Sequence, residues 1–195
     1  MSFWDDRFSS EEYVYGKEAN RFLKSELDKL TPGKILFPAE GEGRNAVYAA
    51  GKGWKVDAFD SSIEGRKKAL KLAGEMGTEI NYQIASYKNF SFEGGYDAVA
   101  LCFTHLAPPL RQEVHKQYIE LLKPGGHIIM QAFRKEQLGL DSGGPRELDL
   151  LFSKEELESD FSGLSNLKVW ETEEDLEEGP YHRGFARLIN LVGVK

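Results

Sequence analysis

The sequence predicts an α/β fold: a doubly wound, mostly parallel sheet with helices on both faces, closed at the C-terminal end by an antiparallel pair of strands. Three observations carry this expectation. Between Ile35 and Phe133, short strand-like runs alternate with segments of helical period, the pattern of βαβ units with right-handed crossovers. Tyr96 to Phe103, YDAVALCF, is the most continuous apolar run, as expected of a central strand buried on both faces. Leu167 to Leu176 and Gly184 to Lys195 then read as two strands joined by EEGPYHRG, the layout of a closing hairpin.

The elements follow in order. Ala19, Phe22, Leu23, Leu27 and Leu30 lie at helical spacing, so 17–30 is predicted as an amphipathic helix that Pro32-Gly33 ends. Ile35-Leu36-Phe37 is a short strand, and Ala46 to Ala50 a buried helix running up to Gly51-Lys52-Gly53. Lys55 to Asp60 alternates as a second strand. Ile63 to Met76 is helical with Ala69, Leu70 and Ala73 inward, and Gly77 stands where a helix C-cap belongs. Ile80 to Ile84 is the third strand and Tyr96 to Phe103 the fourth. A helix over 110–122, the turn LKPGG and a strand over 127–133 follow. Arg134 to Asp149 has little periodicity and several glycines, which predicts a long functional or disordered loop. Ser153 with Glu156 is a capping-box signature for a short helix.

Composition narrows the function classes. With 195 residues, 41% of them hydrophobic and 12% aromatic, the chain can bury one substantial core. A formal charge of -7 argues against a surface that grips nucleic acid or anionic lipid. The single cysteine, Cys102, allows neither an internal disulfide nor a cysteine-rich zinc site, which fits a reducing compartment. The start, MSFWDDRFSS, has no signal-peptide pattern, and no run reaches the ~18 apolar residues of a membrane span. The expectation is a cytoplasmic protein without nucleic-acid or membrane partners. His115 and His127 lack ligand spacing, so no metal is predicted.

The loop AEGEGRNA, Ala39 to Ala46, carries the function. GEGRNA satisfies the G-x-G-x-x-G/A fingerprint of Rossmann-like folds, follows a strand and opens a helix, and Asp60 stands where an acid binds ribose hydroxyls. A dinucleotide sets its diphosphate at such a helix N-terminus. Glu40 and Glu42 would oppose that anion. A nucleoside without phosphate but with positive charge removes the conflict, and S-adenosylmethionine, with its sulfonium and ammonium groups, has that chemistry. Two alternatives stand beside it: the acids are merely exposed at a helix start, or the literal fingerprint binds a nicotinamide cofactor.

Beyond the loop and Asp60, YDAV opens the fourth strand and ELLKPGG precedes the fifth. These residues resemble the class I S-adenosylmethionine-dependent methyltransferases. FWDDRF…YVYGKEANRFL and EGPYHRGFARLINLVGVK look like the branch that holds tellurite-resistance-like and thiopurine-methyltransferase-like small-molecule enzymes. The resemblance implies one domain over 1–195: an N-terminal lid and helix (1–32), a cofactor-binding core (33–133), and a substrate loop with closing strands (134–195). It implies that Ala39, Glu40, Gly41, Glu42 and Gly43 line the methionine part of the cofactor and that Asp60 accepts both ribose hydroxyls. Ser61 and Ser62 would flank the adenosine, Ser86 and Tyr87 would meet the adenine amino group, and Cys102 and Phe103 would lie beneath the cofactor with Leu106 nearby. Trp4, Arg7 and Tyr15 would form the lid. Phe37 replaces the family's usual first-strand acid and Ala39 its first loop glycine, so Glu40 or Glu42 would stand in at the methionine amine.

Methyl transfer from a sulfonium is an in-line displacement that needs alignment more than acid–base chemistry, and no residue is assigned as catalytic. The candidates are His105 after the fourth strand, and His182 with Arg183 in the hairpin. Asp141 and Arg146 of the long loop are candidate substrate contacts. The expected activity is methyl transfer to a small-molecule acceptor of thiol, metalloid oxyanion or heterocycle class. An NAD-dependent oxidoreductase and a non-catalytic S-adenosylmethionine-binding module are the alternatives.

Overall fold

The computed structural model describes residues 2–195. Its strands are β1 (Lys34–Pro38), β2 (Lys55–Asp60), β3 (Asn81–Ile84), β4 (Tyr96–Cys102), β5 (Leu122–Phe133), β6 (Ser165–Glu177) and β7 (Arg183–Val194). They form one seven-stranded sheet in the order β3-β2-β1-β4-β5-β7-β6. The first five pair in parallel, while β7 joins β5 and β6 antiparallel. The predicted Rossmann-like sheet with its closing pair is the one observed. Order reverses between β1 and β4, which opens a crevice at their carboxyl ends.

The helices are α1 (Phe3–Phe8), α2 (Arg21–Leu27), α3 (Arg44–Gly51), α4 (Ile63–Glu75), α5 (Leu110–Leu121) and α6 (Lys154–Asp160). One core layer packs Leu23 and Leu27 with Ile35, Phe37, Ala46 and Ala69; the other packs Leu36, Val99, Tyr118, Ile128 and Phe161. The central strands are buried on both faces, which is why β4 reads as the most continuous apolar run.

Three expectations are corrected. The helix over 17–30 shortens to Arg21–Leu27 because Asn20 becomes its N-cap, accepting from Leu23 N at 2.9 Å. In α4 the inward set is Ala69, Leu72 and Ala73, while Leu70 stays 36% exposed; positions i, i+3 and i+4 share a helix face and i+1 does not. LKPGG lies within β5, whose pairing with β4 jumps from Tyr96↔Leu122 to Ala98↔His127, so the turn bulges out of the ladder. The capping box closes as predicted: Ser153 Oγ accepts from Glu156 N, and Glu156 accepts from Ser153 N at 2.8 Å.

Candidate active site

At the end of β1 the chain turns through left-handed backbone at Ala39 (φ 50°), Gly41 (φ 59°) and Gly43 (φ 87°). Gly43 is also a contact point between helices: a Cβ there would lie 2.5 Å from Ala69 Cβ in α4. Gly43 thus sets the packing of α3 on α4 and does not line the cleft. Ala39 takes the strained conformation without a glycine's freedom, the kind of cost that folded structure sustains at functional sites.

Glu40 caps α3. Its Oε1 accepts from Asn45 N and Ala46 N, both at 2.8 Å, and its Oε2 has only a long 3.4 Å contact with Asn45 Nδ2. Burial pushes its pKa up to about 7, against these hydrogen bonds and Arg44. The orphan N–H groups that would grip a diphosphate are therefore taken by the chain's own carboxylate. That geometry does not support the nicotinamide alternative, and it leaves Oε2 available to a cation.

Glu42 does something else. Its Oε2 accepts from Val14 N (2.9 Å) and Tyr15 N (3.3 Å), and its Oε1 is paired with Lys68. The carboxylate fastens the N-terminal segment over the loop. Of the two acids, Glu40 is the one with spare accepting capacity.

Asp60, at the end of β2, accepts from Gly41 N through Oδ2 (3.1 Å) and from Ser62 N through Oδ1 (2.8 Å). Burial raises its pKa against those bonds. Each carboxylate oxygen accepts about two hydrogen bonds, so each retains a free accepting position. Ser61 lines the cleft. Ser62 does not: fully buried, its Oγ caps α4 by accepting from Gly65 N (3.0 Å) and donates to Asp5 (2.8 Å). Its side chain is spent on the helix start, which corrects the expected contact with adenosine.

Ser86 and Tyr87 line the cleft after β3, where Asn89 Oδ1 accepts from Ser86 N (2.7 Å) and Ser86 Oγ (3.0 Å). Cys102, Phe103 and Leu106 line it after β4. Burial pushes the Cys102 thiol up to about 12, so it stays protonated and unreactive. Phe103 is a second non-glycine residue in the left-handed region, at φ 53°. Ala39 and Phe103 thus directly follow β1 and β4, the two strands that flank the reversal of strand order.

The other wall is aromatic. Trp4 stacks on Phe8 at 5.6 Å, and Arg7 lies over the Tyr181 ring at 4.1 Å and donates to Tyr15 Oη at 3.4 Å. Trp4, Arg7 and Tyr15 all line the cleft, as do Asp141 and Arg146. The three candidate acceptor-side residues separate. His105 donates through Nδ1 to Leu150 O (2.7 Å) and accepts through Nε2 from Phe133 N (3.4 Å); burial lowers its pKa to about 4. Both nitrogens are engaged with backbone, so its geometry ties the long loop to β5 rather than presenting a base. His182 is buried in the cleft wall between Tyr15 (4.4 Å) and Phe103 (4.5 Å). Arg183 is exposed and outside the cleft, because the first residue of β7 points to the face opposite its neighbour.

Sequence reasoning missed the polar cluster behind His182. Glu178 Oε2 accepts from Arg44 Nη2 at 2.9 Å and Glu178 Oε1 from Asn20 Nδ2 at 2.9 Å, while Asn20 Nδ2 also donates to Gln131 Oε1 at 2.6 Å. No local signal marks these residues. Among the described residues no group of histidine, cysteine and acid side chains is arranged to hold a metal ion.

The cleft measures about 1090 Å³, beyond the roughly 300–1000 Å³ of a pocket for one drug-sized ligand. The seven-stranded sheet, with a crevice at the reversal of strand order, a capped acidic loop after β1 and an aspartate at the end of β2, is a Rossmann-like methyltransferase fold. Residues 35–126 match the family model described as a methyltransferase domain. Among solved structures, TehB from Haemophilus influenzae superposes with a TM-score of 0.75 at 16% identity, over 99% of this chain and 66% of that one. The chain thus spans just under two thirds of TehB. The N-methyltransferase NodS from Bradyrhizobium japonicum WM9 gives 0.68 at 11% identity, over 89% and 92% of the two chains. The plantazolicin methyltransferase BpumL, solved with a pentazolic desmethylPZN analogue and SAH, gives 0.63 at 17%, over 90% and 84%. No curated protein sequence matches the chain significantly.

Proposed function

We propose that the protein transfers the methyl group of S-adenosylmethionine to a small-molecule acceptor, of thiol, metalloid oxyanion or heterocycle class, by in-line displacement. It acts as one domain over 1–195, with 1–32 as lid, 33–133 as cofactor core and 134–195 as acceptor side, in the cytoplasm and without nucleic-acid or membrane partners. No helix among the described residues is long and apolar enough to cross a membrane. The observation that carries the reading is one cleft joining two unlike halves: acids with spare accepting positions, Glu40 and Asp60, face an aromatic wall across a volume large enough for a second molecule.

Glu40 would hold the methionine ammonium and Asp60 the ribose. Bound there, the cofactor supplies a methyl group already activated by positively charged sulfur. The chain's part is alignment and exclusion of water: Phe8, Tyr15, Phe103 and Phe133 wall the reaction space, and α1 covers it with Asp5 accepting from Ser62 Oγ and Ile63 N at 2.8 and 2.9 Å. Holding two reactants in attack geometry is worth on the order of 7 kcal/mol in favourable cases.

Titration of the protein with SAH in a calorimeter tests the cofactor site; a heat-silent titration, with no protection against thermal unfolding, ends the reading. A mass-spectrometric screen of thiols, metalloid oxyanions and heterocycles with labelled cofactor tests the acceptor. SAH binding with no labelled product from any of them would leave a binding module instead.

A further inference from the structure

The turn that joins β6 to β7 holds a carboxylate only 11% exposed beside a buried imidazole. Glu178 N donates to His182 O at 2.8 Å, which fixes the two residues against each other. The Glu178 carboxylate takes Asn20 Nδ2 on one oxygen and Arg44 Nη2 on the other, and the latter oxygen lies 3.3 Å from His182 Nδ1. An ionised carboxylate only accepts, so the proton of a neutral His182 sits on Nδ1 and the lone pair on Nε2. Nε2 has no protein hydrogen-bond partner among the described residues, yet it is not one of the sealed, unpaired buried atoms. The ring lines the cleft, held by Tyr15, Phe103 and Phe133.

Resting on the methyl-transfer reading above, we propose that Glu178 is a positioning residue that aims the His182 Nε2 lone pair at the acceptor, and that the acceptor is therefore a neutral X–H group rather than an already ionised oxyanion. In the step the acceptor's X–H bond breaks and its electron pair forms the bond to the methyl carbon. The proton passes to His182 Nε2, and the electron pair of the broken carbon–sulfur bond stays on sulfur. An acceptor that arrives ionised has no proton to give and no use for this nitrogen. A purely structural role is already complete without it, since Asn20 and Arg44 satisfy both oxygens of Glu178.

The electrostatics agree with the geometry. Burial would raise the Glu178 pKa, but the hydrogen bond from His182 and the Arg44 guanidinium overcome it and hold the carboxyl at about 2. Burial lowers the His182 pKa, partly offset by Glu178, so the imidazole is neutral and able to accept a proton. The charged and titratable groups around it are Glu178, Arg44, Arg7, Tyr15 and His105.

The test reads the ring itself, without cofactor. Long-range proton–nitrogen correlation spectra of the labelled full chain at pH 7.5, with His182→Gln to assign the signals, should show His182 protonated on Nδ1 and bare on Nε2. Glu178→Gln, whose amide can donate to Nδ1, should lower the Nδ1–H to Nε2–H ratio about tenfold or more, as expected for loss of a hydrogen bond to a charged group. A wild-type ring protonated on Nε2 overturns the proposal, as does a Glu178→Gln ring with unchanged signals. If Glu178→Gln does not fold, the wild-type tautomer alone decides. Because SAH is absent from the tube, this outcome is independent of the calorimetric one.

Discussion

The two halves of the cleft, the proposed cofactor side and the proposed acceptor side, are built at different sequence ranges. In the first, Glu40 holds Asn45 and Ala46, 5 and 6 residues away, and Asp60 holds Gly41, 19 residues away. In the second, Glu178 holds Arg44 across 134 residues and Asn20 across 158, and Asn20 reaches Gln131 across 111. The first half is a consequence of local turns. The second exists only once β5, β7 and the N-terminal segment have closed on one another, so its polar groups are an index of the whole fold.

The largest effect should come from breaking that long-range cluster. Arg44→Met leaves the Glu178 carboxylate buried without its cation, and stranding one partner of a buried pair costs about 3–5 kcal/mol. For a chain of this size each kcal/mol lowers Tm by about 2–4 °C, so melting should fall by about 6–20 °C. Arg44→Met with Glu178→Leu should recover part of the loss, since no charge is then left unpaired. A fall of only about 1 kcal/mol, the scale of a surface pair, would erase the distinction between the two halves.

Next in size is Asp60→Ala, which sharpens the comparison because it strikes binding more than folding. Hydrogen bonds to a charged group are worth about 1.5–3 kcal/mol each, so losing one or two ribose contacts should weaken SAH about tenfold or more in calorimetry. The acceptor-half cluster should be unaffected, with His182 signals as in wild type. Full affinity in Asp60→Ala would mean that the ribose is held elsewhere.

A third, smaller effect separates the halves by pH. Glu40 ionises in the unfolded chain near the ordinary value of 4.5 but in the fold only at about 7. The raised value means that the unfolded chain releases this proton first, so folding loses stability as pH rises from 4.5 to about 7 and levels off above. Glu178 has the opposite sign: held at about 2, below its ordinary 4.5, it contributes stability that is complete above 4.5 and lost as pH falls toward 2. Thermal melts across this range should show Glu40→Gln gaining on wild type as pH rises from 4.5 to 7, and Glu178→Gln losing its deficit below pH 4. A Glu40→Gln difference that is flat with pH would place that carboxylate in water.

The same contrast explains what could be read from the chain. β2 was predicted at the residues where it lies, and the capping box of α6, the acidic glycine loop and Asp60 were all visible because each is set by spacing within a few residues or within one βα unit. Glu178 was not. It follows the acidic run ETEEDLE of the edge strand β6, where Glu171 and Glu173 are exposed and pair with Arg134. Nothing in the composition tells the one carboxylate that turns inward at the hairpin from its solvated neighbours. Arg44 likewise carries no local signal, and its carboxylate partner comes only from the turn that joins β6 to β7. Ser62 was misplaced for the converse reason: a serine before a helix serves as N-cap before it serves a ligand.

The smallest effect is expected from Arg183→Ala, one residue from His182. Strand alternation sends the two side chains to opposite faces, and Arg183 is exposed and outside the cleft while His182 is buried within it. A surface substitution away from special contacts changes stability by less than about 0.5 kcal/mol. Arg183→Ala should therefore match wild type in Tm, in SAH affinity and in the protonation of His182. Because Arg183 pairs with Glu177 in the β6–β7 ladder through backbone alone, truncating it leaves the register intact. A wild-type melting temperature combined with lost methylation of every acceptor would show that the hairpin tip turns over when the acceptor binds, bringing Arg183 into the cleft and making the acceptor half a moving part rather than a fixed wall.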